Sequence, residues 1–170
     1  MNSLDFILFV TCGLSVMTSY IWGAVYLKHN PDPSIWAGLW PASVYTITFF
    51  MLSATISAAG FLWVATNIIF LWPDNPVVDV FACLFLVASA AYLPLAIAHH
   101  RKSVFFCLLV VAVSAGMLAV EAVTQMGAAL STPVLWLVFH CAILDLGYWF
   151  GTWQPGVTKS VEVAFVIEEF

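Results

Sequence analysis

The sequence predicts an all-α polytopic integral membrane protein, a five-helix transmembrane bundle with no separate soluble domain. Three observations predict it. Of 170 residues, 64% are hydrophobic and only 8% are charged, whereas soluble domains carry about 25% charged residues. Mean hydropathy is +1.04. The apolar residues also fall in five runs separated by short polar breaks, and about 20 apolar residues span the hydrocarbon core as a helix.

The first span is read as 6–27, stopped by Lys28-His29-Asn30-Pro31. The one charge ahead of it is Asp5; a cleaved signal peptide needs a positive n-region, so this segment is expected to be retained. The second, 41–71, opens on Pro41, a residue suited to a first helical turn. A straight helix of that length would reach about 46 Å against a core of about 30 Å. It is therefore expected to tilt, to kink near Gly60 or to project beyond the bilayer. The third, 77–98, ends at His99-His100-Arg101-Lys102, and Pro94 beside Tyr92 marks a kink because proline removes a backbone hydrogen bond. The fourth, 104–124, is followed by Gln125-Met126-Gly127, and the fifth, 133–153, by Gln154-Pro155-Gly156. One transmembrane domain, 1–156, is thus followed by an acidic tail, 157–170.

Charge placement tests the count. Basic residues collect on the cytoplasmic side. With five spans, Lys28, Arg101, Lys102 and Lys159 all fall on one face, which predicts an N-terminus out and a C-terminus in. Tryptophans favour the headgroup level, which places Trp36, Trp40, Trp149 and Trp153 at the inner interface and Trp72 at the outer. Small residues let helices approach in lipid; Ser15, Ser19 and Gly23 form such a ridge, as do Ser53, Ala54, Ser57, Ala58 and Gly60, and Ala112, Ala115, Gly116 and Ala119. Short connections predict that consecutive helices pack as antiparallel neighbours.

Several function classes are excluded. A net charge of −5 argues against nucleic acid, which selects basic surfaces. Cys12, Cys83, Cys107 and Cys141 lie in apolar runs without CxxC pairing, against a disulfide or zinc role. No lysine or arginine lies within a span, against a retinal Schiff base or a voltage sensor. Filter, nucleophile-elbow and HExxH motifs are missing, and no metal site is expected.

An ionisable residue inside a span costs several kcal/mol unless paired or hydrated. Glu121, His140 and Asp145 are the three clear cases, and they form the expected ligand site or proton pathway, opening outward. Glu121 and His140 fall at similar depth on sequential antiparallel helices, which makes a pair geometrically possible, and the sequence leaves open whether they meet. His140 and Asp145, five apart, are about 140° apart on an α-helix, so they are expected to face different neighbours. Asp74, Asn75 and Asp79 read as a solvated turn. Lys28, Arg101 and Lys102 form a basic edge suited to lipid phosphates.

Trp22, Lys28, Pro31, Pro33, Trp36, Pro41 and Tyr45 together resemble, in residue types, the first-loop region of the tryptophan-rich sensory protein (TspO) family, and 133–145 is loosely similar to that family's last span. The chain lacks a Trp-Thr-Pro-Leu-Phe-Phe-Gly-like segment, and Asp145 stands where an asparagine is expected. The resemblance covers about a quarter of the chain and implies a tetrapyrrole- or sterol-binding alternative.

The leading expectation is a small multi-pass protein that transports or binds a ligand through its polar interior. Its partners would be the lipid bilayer and further copies of itself or other membrane subunits. One alternative is an accessory subunit of a larger membrane complex with no activity of its own. Another is a lipid-acting enzyme using Glu121 and His140 as acid and base. The outer loops carry no second polar cluster to hold a headgroup, which counts against the enzyme.

Overall fold

In the computed structural model, residues 3–30, 44–98 and 100–148 are described. They are entirely helical apart from the turns: α1 (Ser3–His29), α2 (Val44–Phe70), α3 (Pro76–Ile97), α4 (Arg101–Met126) and α5 (Thr132–Phe139), which continues directly into a π-helical segment (His140–Tyr148). Four helices, α1 to α4, are long and apolar enough to cross a membrane. The fifth apolar segment, Thr132–Gly147, is shorter, so four crossing helices rather than five stand on length and composition. The predicted remainder of that span, 149–153, and the predicted start of the second, 41–43, lie outside the described residues, as do the tail and four of the five interfacial tryptophans.

The outside of the bundle is apolar. Leu14, Met17, Ile21, Leu52, Leu62, Val120 and Ile143 are all exposed. Soluble monomers rarely expose contiguous apolar surface beyond a few hundred Å², so this exterior suits lipid. Helices with apolar residues on every side belong in such a setting.

Local chemistry explains the helix ends. Asn75 caps α3, its Oδ1 accepting from the Val77 amide at 3.2 Å, with Pro76 following in the first turn as helix N-termini prefer. This confirms the turn read from Asp74 and Asn75. Gly127 ends α4 at a φ of 78°, a conformation glycine adopts without a Cβ penalty. Pro94 cannot donate to the carbonyl of Ala90, and the Ser19 hydroxyl of α1 donates to that oxygen instead, at 2.6 Å. A neighbouring serine thus satisfies the carbonyl that proline leaves open.

Neighbours depart from chain order. α1 packs chiefly on α3, α3 on α4, α4 on α5, and α5 on α2. The expectation that consecutive helices pair holds for α3–α4 and α4–α5 but fails for α1–α2 and for α2–α3, which touch only marginally. The stretch between His29 and Val44 is the longest connection, so it does not force α1 against α2. The small residues decide instead. A Cβ on Gly23 would run into Leu93 of α3, and a Cβ on Gly60 would run into the backbone carbonyl of Pro133 in α5. Gly60 is therefore a contact point between α2 and α5.

The core divides into two halves. Away from the basic ends, Phe9, Phe61 and Phe85 stack with centroids 6.2 and 4.6 Å apart, beside the fully buried Leu118 and Val134. Toward the basic ends, the helices part around a cavity.

Candidate functional site

The polar cluster starts from Ser53, 1% exposed in the first half of α2. The Trp136 indole N–H donates to its Oγ at 3.1 Å, and His140 Nδ1 lies 3.0 Å from the same oxygen. On its other side, His140 Nε2 lies 3.5 Å from Asp145 Oδ1. Indole can only donate, so the Ser53 hydroxyl proton is left for His140. Assigning protons from this network, the histidine accepts from Ser53 at Nδ1 and directs its Nε2 proton at the Asp145 carboxylate. Trp136, Ser53 and His140 are thus hydrogen-bonded in series, with Asp145 in longer-range contact at the end. Phe50 holds the imidazole edge-on, with ring centroids 5.2 Å apart.

Two local features build this cluster. The first is the π-helical winding of residues 140–148, in which residues pair i to i+5. Residues five apart therefore stack on one side, and the expectation that His140 and Asp145 face different neighbours is corrected. It rested on α-helical rotation of 100° per residue. The same winding brings a Cβ position at Gly147 within 3.5 Å of the Ala142 carbonyl, again five apart. The second is the seating of Pro133 against Gly60. It places the start of α5 beside the middle of α2, so His140 arrives opposite Ser53 and Phe50.

His140 and Glu121 do not make the pair that their similar depth allows. Glu121 Oε1 accepts from Gln125 at 2.9 Å and Oε2 from Asn75 at 3.4 Å. It braces the end of α4 against the α3 cap, with Asp74 and Asp79 beside the same small crevice. Of the three residues singled out from sequence, the structure brings together His140 and Asp145 and leaves Glu121 in a separate group.

A cavity of about 330 Å³ adjoins the pair. His140, Asp145, Tyr20, Tyr92 and Ser89 supply its polar groups, and its remaining walls include Phe50, Leu93 and Leu108. Every lining residue from α1 to α4 comes from the half of its helix that adjoins the basic ends. The cavity thus sits in the opposite half from the outward-opening one expected. Lys28, Arg101 and Lys102 lie exposed at the helix ends on this same side.

Comparison with protein-family models, with curated proteins and with solved structures finds no match to this chain. The geometry of the site therefore stands alone as the guide to its chemistry, and the resemblance drawn from the first loop gains no support. Among the described residues, no group of three or more His, Cys, Asp or Glu is gathered to hold a metal. The four cysteines are free thiols.

Ser53, Trp136, Tyr20 and Tyr92 belong to the site, and sequence reading did not pick them out. Trp136 stands four residues before His140, a spacing that shares a helix face, so it was within reach. Ser53 was legible only as one of several small residues in a packing ridge.

Proposed function

We propose that this chain is a five-span, multi-pass membrane protein with its N-terminus out, and that it binds a small, largely apolar molecule in the cavity beside His140 and Asp145. The observation carrying this reading is the cavity itself. Binding pockets are concave, about 300–1,000 Å³, mostly apolar, and carry a few convergent polar groups. This one has those proportions, with its polar groups on one wall and an ordered hydrogen-bond chain behind them. The stacked phenylalanines and the apolar packing beyond favour a blind pocket over a path through one protomer. Transport, in this reading, would run between copies of a homo-oligomer.

Native mass spectrometry with an absorption spectrum, on protein extracted in mild detergent, tests the proposal. A stoichiometric small molecule retained by the native chain, and lost when Ala54→Phe fills the cavity, is the expected result. A tetrapyrrole would announce itself by a strong visible band; a sterol would appear in the mass alone. Retention unchanged in Ala54→Phe would overturn the reading. So would the absence of ligand together with a fixed ratio of other subunits, which is the accessory-subunit outcome.

A further inference from the structure

We infer that the cavity selects a lipophilic amine, a molecule with an apolar body and one protonated nitrogen. The inference rests on the binding reading above and narrows its ligand class. Asp145 is the one Asp, Glu, Lys or Arg among the described residues that line the cavity. Its carboxylate meets a neutral-capable histidine at 3.5 Å rather than a lysine or arginine, so the wall carries no fixed positive charge to offset it. A carboxylate out of water is costly unless paired, and an ammonium group entering beside it supplies that pair where the surroundings are low in dielectric.

The aromatic walls point the same way. Tyr20, Tyr92 and Phe50 line the same cavity as Asp145, and an ammonium within about 6 Å of a ring centroid gains from the face of the π-system. Tyrosine hydroxyls add oxygen acceptors for its N–H groups. A carboxylate ligand would meet Asp145 with like charge, and a neutral alcohol would hydrogen-bond without ion pairing. Lys28, Arg101 and Lys102 belong to the exposed helix ends rather than to the cavity wall. At physiological salt their field falls off over about 8 Å in water.

Three probes on one hydrocarbon cage separate these cases: 1-adamantylamine, 1-adamantanol and 1-adamantanecarboxylate, measured by equilibrium dialysis against the full chain in phosphatidylcholine nanodiscs, with empty nanodiscs subtracted. The expected result is saturable amine binding about tenfold tighter than alcohol binding, and still weaker carboxylate binding. Asp145→Asn should remove the amine preference, so that amine and alcohol bind the variant within about twofold of each other. A tenfold change corresponds to about 1.4 kcal/mol. Equal affinity for amine and alcohol in the native chain overturns the amine inference and leaves the cavity reading standing. A preference for the carboxylate overturns it in favour of the basic rim. Binding of all three probes that Ala54→Phe leaves untouched, or no saturable binding at all, overturns both readings. The comparison of head groups on the native chain decides the matter even if Asp145→Asn does not fold.

Discussion

Ser53 shows how much one small residue can hold. Its Oγ receives Trp136 and meets His140, tying α2 to α5 and to the π-helical segment at once. Ser57, one turn on and equally buried, bonds only to the Ser53 backbone carbonyl at 2.8 Å. The two serines look alike in sequence yet should respond differently to alanine. Ser53→Ala strands the buried His140 ring and the half-buried Trp136 indole and is expected to cost about 1–3 kcal/mol, whereas Ser57→Ala should cost a few tenths, read by thermal unfolding in lipid nanodiscs. Glu121→Gln keeps the shape and one of the two acceptor oxygens at a group distant from the cavity, so ligand retention should match the native chain. A loss of retention would join the two polar groups functionally. Asp145 and His140 were legible from sequence because ionisable residues are rare within spans. Ser53 was not, because its role depends on what crosses it from a helix more than 80 residues away.

The elements were legible where local chemistry writes them. Lys28-His29, Asn75-Pro76 and Gly127 each stop or start a helix through dipole, capping or backbone preference. Neighbour choice and the π-helical winding were not, since both depend on contacts distant in the chain. Glycines test the neighbour assignment directly. A side chain at Gly60 meets the Pro133 backbone, which cannot swing aside, so Gly60→Ala is expected to cost about 1–3 kcal/mol by overpacking. At Gly116 nothing lies within 4 Å of the added carbon, so Gly116→Ala should be neutral or stabilise by up to about 1 kcal/mol through helix propensity. Paired unfolding measurements check the contrast; equal effects would mean that α2 and α5 do not meet at Gly60.

For the whole molecule, the decisive question is which ends share a side. Alternating helices place the α2–α3 and α4–α5 turns at one end, and His29, Arg101 and Lys102 at the other. Single cysteines introduced at Asp74, Ala128 and Lys102, on a background lacking the four native cysteines, test this with an impermeant thiol reagent applied from each side. Positions 74 and 128 should react from the outer side and 102 from the cytoplasmic side. Labelling of 74 and 102 from the same side would undo the bundle's crossing count. The apolar exterior and the four long helices were foreseeable from composition. The division into a packed half and a hollow half was not, because it arises from where the large aromatic residues of three helices happen to meet.

That division makes the two leaflets unequal to this protein. A charged amphiphile crosses a bilayer slowly, so its concentration can differ between the two lipid layers for long periods. With its cavity gathered toward the basic ends and the other half packed around stacked phenylalanines, the bundle would sample one layer and ignore its opposite. Occupancy would then report lipid asymmetry rather than total content, a form of sidedness that no average membrane composition reveals.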